Sequence, residues 1–151
     1  MSDVTLTVHR ATDQIGGNCI EIAAPCGRRV ILDVGRPLDA PSDATGLIPA
    51  SLDLTIPADV LISHPHQDHY GLLGETPIEW PVHCGAATEK LMRITVGVAG
   101  KVINHSIENW ESGRTKKIGP FALTPYLTDH SAFDAHMLLL EVAGKRIMYS
   151  G

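Results

Sequence analysis

The chain has 151 residues, 44% of them hydrophobic, enough for one domain with a core and too few for two. Its net charge of −5 speaks against a broad nucleic-acid-binding face, though only weakly, because a metal site brings positive charge of its own. Cys19, Cys26 and Cys84 form no CxxC and no even set, so no disulfide framework is indicated and a reducing cytoplasm fits; neither a secretory leader nor a membrane-spanning run is evident.

In chain order, Val4 to His9 alternates apolar and polar residues, the pattern of a half-buried strand. Asp13 to Asn18 is a turn in which Gly16 and Gly17 permit positive φ. Strands over Cys19–Ala23 and Arg29–Asp33, joined by the Pro25-Cys26-Gly27 turn, complete an antiparallel meander. Asp33 ends an apolar strand, and two readings stand side by side. It starts a turn, or it is a carboxylate that orients a metal-bound histidine or water. Pro37 to Ile56, rich in Pro, Asp, Ser and Ala, is a long loop with a helical turn near Pro49 to Leu52.

Asp59 to Ile62 is a short buried strand that runs into Ser63-His64-Pro65-His66-Gln67-Asp68-His69-Tyr70-Gly71. Three of the chain's 8 histidines fall within six positions here, a concentration that chance histidines on a solvated loop do not explain. Pro65 argues against a helix interior, so the stretch reads as extended, with alternate side chains pointing the same way. His64 and His66 then converge on one metal ion, and Asp68 and His69 are offset toward a second. Gly71 with Leu72-Leu73 marks a tight turn and a helix start.

Val82-His83 is a short strand, and Gly85 to about Val98 is a helix that Gly97 and Gly100 weaken and end. His83 beside Cys84 is a poor metal pair, since neighbouring strand side chains point apart. His105 is a surface or structural residue, and His9 and His136 are equally weak as ligands. Arg114-Thr115-Lys116-Lys117 is a solvated hairpin end with an unproven capacity for phosphate. Phe121 to Thr128 is a strand that ends in Asp129-His130-Ser131, a second place where a ligand stands at a strand end. Met137 to Val142 and Arg146 to Tyr149 form a hairpin through Ala143-Gly144-Lys145.

The string His64-x-His66-x-Asp68-His69 resembles the metal-binding signature of the metallo-β-lactamase superfamily. That resemblance implies an α+β fold, a four-layer αββα sandwich of two similar halves, mainly antiparallel with flanking helices and with metals at one edge of the sheets. It implies that His64, His66 and His130 hold a first ion, that Asp68 and His69 hold part of a second, and that Asp33 is the superfamily's first motif. Asp68 and Asp33 are thereby the candidate catalytic carboxylates. Two divalent ions are expected, zinc first and manganese as the other option, since imidazole with carboxylate suits such ions.

Gly16-Gly17-Asn18 and Asp129-His130-Ser131-Ala132-Phe133-Asp134 look most like the RNA-processing branch, the ribonuclease J-like and cleavage-factor-like nucleases. The expected activity is a phosphodiesterase acting on RNA or other nucleic acid through a hydroxide activated by two metals. A small-molecule hydrolase of the same fold, such as a thioesterase or lactonase, and an inactive metal-binding fragment are the alternatives. In the resembled family the strand ending at Tyr149 leads into a Ser/Thr-Gly-Asp turn whose Asp bridges the metals, and that Asp would follow Gly151. Residues 1–151 are therefore expected to be the N-terminal part of an incomplete metallo-β-lactamase domain, inactive alone, with any β-CASP domain outside it. Uncovered strand surface in such a piece is expected to favour self-association.

Overall fold

A computed structural model describes residues 3–151, which form two packed β-sheets with one full helix. The first sheet has the order β1-β2-β3-β4-β5-β6. Strands β1 (Thr5–Arg10), β2 (Cys19–Ala23) and β3 (Arg29–Leu32) are the antiparallel meander read from the sequence. Gly16 and Gly17, in the turn between β1 and β2, take φ of 81° and 71°. The next three strands, β4 (Asp59–Leu61), β5 (Val82–Gly85) and β6 (Ile107–Trp110), add in parallel. The prevailing antiparallel pairing thus gives way to three parallel pairings. Strands β3, β4 and β5 are buried along their whole length, as expected where both faces of a sheet are covered, and each parallel step is bridged by a long crossover.

The second sheet, β7 (Lys116–Ile118), β8 (Phe121–Leu127), β9 (His136–Val142) and β10 (Lys145–Tyr149), is antiparallel in the order β10-β9-β8-β7. Between the sheets Ile22, Val30, Leu32 and Leu61 meet Phe121, Leu123, Leu138 and Leu140, all fully buried. At the hairpin end before β8, Arg114 meets Glu111 at 3.0 Å and Lys116 meets Glu108 at 2.7 Å.

Two short helices follow β4 and β5. Residues Gln67–Tyr70 form a single turn, α1, and α2 spans Ala86–Val98 against β5 and β6. The α1 turn corrects the reading of the ligand stretch as extended throughout. The backbone is extended only as far as His66, at φ −93° and ψ 145°, and then winds up. Pro65 tolerates this because it lies before the turn, where neither its missing N–H nor its ring obstructs a helical bond. The helix start expected after Gly71 is a single 3-10 turn over Leu73–Glu75. His105 is buried, with Nε2 3.1 Å from the Thr76 hydroxyl, so of its two readings the structural one holds. The long loop makes its expected turn, Leu52 N–H to Pro49 O at 2.9 Å. It is tied to the sheet by the Arg29 guanidinium, which donates to the carbonyls of Asp53 and Ile56.

Candidate metal centre

The C-terminal end of β4 delivers Ser63 and His64 to one rim of the sandwich, and both are buried. Extension through Pro65 brings His66 alongside, its ring centroid 4.8 Å from that of His64. His130 arrives from the opposite sheet, on the loop between β8 and β9, with centroids 4.6 Å from His64 and 5.5 Å from His66. One ring nitrogen from each of the three lies within 4.8 Å of the others. The histidines are graded from buried through intermediate to exposed, so the cluster opens to solvent on the His130 side.

Two anchors fix the His130 loop. Thr128 N–H donates to Ala135 O at 2.9 Å, and His136 N–H donates to Ser63 O at 3.0 Å, which staples the start of β9 to the end of β4. Asp134, read in the sequence only as part of a string, is a helix cap. Its carboxylate accepts the Thr88 N–H of α2's first turn at 2.8 Å.

The α1 turn swings His69 back, so that its ring centroid lies 3.9 Å from that of His64. Asp68 stands beside it, Oδ2 to His69 Nε2 at 3.6 Å. The turn is lashed to the chain after β3: Val34 N–H donates to His69 O at 2.8 Å, Arg36 N–H to Gln67 O at 2.9 Å, and Leu72 N–H to Val34 O at 3.0 Å. From the Gly16-Gly17-Asn18 turn, Asn18 N–H reaches Asp68 O at 3.1 Å.

Asp33 lies beneath these rings, fully buried, with φ of 57°. Its Oδ1 accepts the Ser63 N–H at 2.8 Å. Its Oδ2 faces the Ser63 hydroxyl at 2.8 Å, His69 Nδ1 at 2.7 Å and the Tyr149 hydroxyl at 2.6 Å. Ser63 Oγ is also 2.9 Å from His64 Nδ1, and Asn18 Nδ2 donates to the Tyr149 oxygen at 3.0 Å. Ser63 and Tyr149 have no place in the sequence reading. The available signal was that Tyr149, like His130, is a polar residue closing an apolar strand.

Burial, reinforced by the neighbouring imidazoles, lowers the His64 pKa to about 4. For His69 burial also lowers it, but the hydrogen bond to Asp33 and the charges of Asp33 and Asp68 outweigh that, and the net direction is up. Burial, followed by the charge of Asp33, pushes Tyr149 up. A cavity of about 220 Å³ adjoins the cluster, bordered by His64, His69, Asp129, His130 and His136.

The remaining histidines have other partners. His83 meets Asp59 at 3.0 Å, His9 meets the Ser51 hydroxyl at 2.8 Å, and His136 Nδ1 lies 2.8 Å from the Asp134 carbonyl.

No family model matches the sequence. The chain is 30% identical over 159 residues to an RNase J-like protein of Methanocaldococcus jannaschii, an alignment covering 98% of this chain and 36% of that protein. The chain therefore spans about a third of that relative's length. Among solved structures, a protein of unknown function from Enterococcus faecalis superposes with a TM-score of 0.83 at 20% identity, over 99% of this chain and 43% of that one. The metallo-β-lactamase fold protein YhfI of Bacillus subtilis superposes at 0.67 and 16% identity, over 97% of this chain and 61% of its own. A metallo-β-lactamase of Cronobacter sakazakii superposes at 0.64 and 16%, over 89% and 55%. The chain has the metallo-β-lactamase fold, and its sequence is similar to an RNase J-like protein.

Proposed function

We propose that this chain carries the metal centre of a hydrolase of the metallo-β-lactamase superfamily, a phosphodiesterase acting on RNA or other nucleic acid. The observation that carries the reading is the convergence of His64, His66 and His130 from two sheets onto one point. The donor set fits a cation at its most buried member. Among the described residues, His64 Nε2 is buried with no hydrogen-bond partner. A buried polar atom left without a partner costs about 1–3 kcal/mol, and a cation supplies what that nitrogen lacks. Burial keeps the His64 ring neutral, the form that ligates.

His64, His66 and His130 would hold a first divalent ion, and His69 with Asp68 would contribute to a second. Imidazole nitrogen and carboxylate oxygen favour zinc, with manganese the alternative as oxygen ligands increase. An ion at this rim supplies Lewis acidity and water activation at neutral pH. The protein's own share is positional. Asp33 holds His69, Ser63 ties the end of β4 to Asp33, and the stapled loop brings His130 across.

Nucleic acid as substrate is supported by the similarity to the RNase J-like protein. A cytoplasmic location is supported by three free cysteines. No helix among the described residues is long and apolar enough to cross a membrane.

The test is metal analysis of the full-length protein paired with its turnover of 5′-labelled RNA and of a generic thioester. His66→Ala is expected to lose bound metal and all hydrolysis. RNA cleavage without thioester cleavage supports the phosphodiesterase, and the reverse moves the assignment to a small-molecule hydrolase. Undiminished hydrolysis after exhaustive chelation removes the metal reading altogether.

A further inference from the structure

The hydrogens around Asp33 can be placed by counting donors. An ionised carboxylate only accepts, and a serine hydroxyl has one hydrogen to give. Asn18 Nδ2 donates to the Tyr149 oxygen, so the Tyr149 hydrogen goes to Asp33 Oδ2, 2.6 Å away. The Ser63 hydroxyl, 2.8 Å from the same Oδ2, must also donate to it. Ser63 then turns a lone pair toward His64 Nδ1 at 2.9 Å, and the hydrogen of that contact has to come from the imidazole. His69 Nδ1, 2.7 Å from Asp33, donates for the same reason.

We infer that Asp33 sets the tautomers of two imidazoles at once, His69 directly and His64 through the Ser63 hydroxyl, so that each ring carries its hydrogen on Nδ1 and keeps Nε2 bare. Ser63 is thereby a positioning residue that acts through His64. The purpose of the device rests on the proposed metal centre; the tautomer itself does not.

Three observations agree. His64 Nε2 is one of five buried side-chain nitrogens without a partner among the described residues, and the one that belongs to the three-histidine cluster, as a lone pair reserved for another occupant would be. The opposite tautomer would set two lone pairs against each other across 2.9 Å while leaving Nε2 unpartnered all the same, so the Ser63 contact decides between the two. Ser63 is fully buried, so solvent does not replace the relay. Sequence reasoning could not find it, because a serine before a ligand cluster has no metal-binding chemistry of its own.

The experiment is long-range ¹H–¹⁵N correlation of the histidine rings in the metal-free protein at pH 7.5, followed by Zn²⁺ titration against a chromogenic chelator. The native protein is expected to show His64 protonated on Nδ1. Ser63→Ala is expected to shift His64 toward the Nε2–H form and to weaken Zn²⁺ binding about 10- to 100-fold, the range seen when groups that orient metal ligands are removed. Ser63→Thr, which keeps the hydroxyl, is expected to restore both. A native His64 protonated on Nε2 overturns the inference, with no variant needed, and so does an unchanged His64 tautomer in folded Ser63→Ala. If the tautomers behave as stated and Zn²⁺ does not bind the native protein, the relay stands and the metal reading falls.

Discussion

Asp33 occupies the left-handed region at φ 57°, which Asp tolerates better than most non-glycine residues. From there its carboxylate is buried yet fully partnered, and Tyr149 is the partner contributed by the last strand. Tyr149→Phe keeps the ring and removes the hydroxyl, leaving both Asp33 and Asn18 short of one hydrogen bond. The expected loss in the metal-free protein is about 1–3 kcal/mol by urea denaturation. An unchanged midpoint would mean the hydroxyl contributes nothing to the fold. This residue also marks the limit of what the sequence shows at this scale. The imidazole cluster is readable because its ligand types crowd into one stretch. Ser63 and Tyr149 meet Asp33 across 30 and 116 positions, and neither is a residue type that announces a metal site.

The α1 turn has only four residues, too few for a 3.6-residue periodicity to register, and it persists because the segment after β3 runs beside it. Gly35 makes that approach possible. A Cβ built there would stand 1.6 Å from the Asp68 carbonyl oxygen and 2.7 Å from Asn18 N, both backbone atoms that cannot rotate away. Gly35→Ala must therefore push the turn off the sheet and carry Asp68 and His69 with it. The expected result is a stability loss of about 3 kcal/mol, the upper range for overpacking, together with loss of metal bound through His69. Calorimetry with metal titration reads both, and a native-like Gly35→Ala protein would show that the turn is not held as described. The contacts that decide this element are tertiary, which is why the stretch reads as extended in sequence. The parallel course of β4 to β6 was hidden for a related reason: strands of three or four residues carry no mark of direction. The meander, the closing hairpin and α2 were legible because alternation, turn residues and helix-ending glycines act locally.

Across the whole molecule the two sheets are unequal, six strands against four. The register places Leu6 opposite Ile22 and Val8 opposite Ile20, on the face that turns toward the smaller sheet. Yet on the edge strand β1 Leu6 is 52% exposed and Val8 40%. An uncovered apolar strip beside an unpaired strand edge is a surface other chains pair with. The net charge of −5 spread over 151 residues is too small to hold copies apart at moderate salt. The chain is therefore expected to associate as concentration rises, with sedimentation coefficients that climb in velocity runs. The double variant Leu6→Thr, Val8→Thr puts strand-favouring β-branched side chains at both positions while removing apolar area, so it is expected to fold and to sediment as a smaller species. If the native chain stays monomeric at its highest soluble concentration, the strip is inert. If both proteins associate equally, the contact lies elsewhere, and the exposed Leu127 and Met148 on the smaller sheet become the surface to alter.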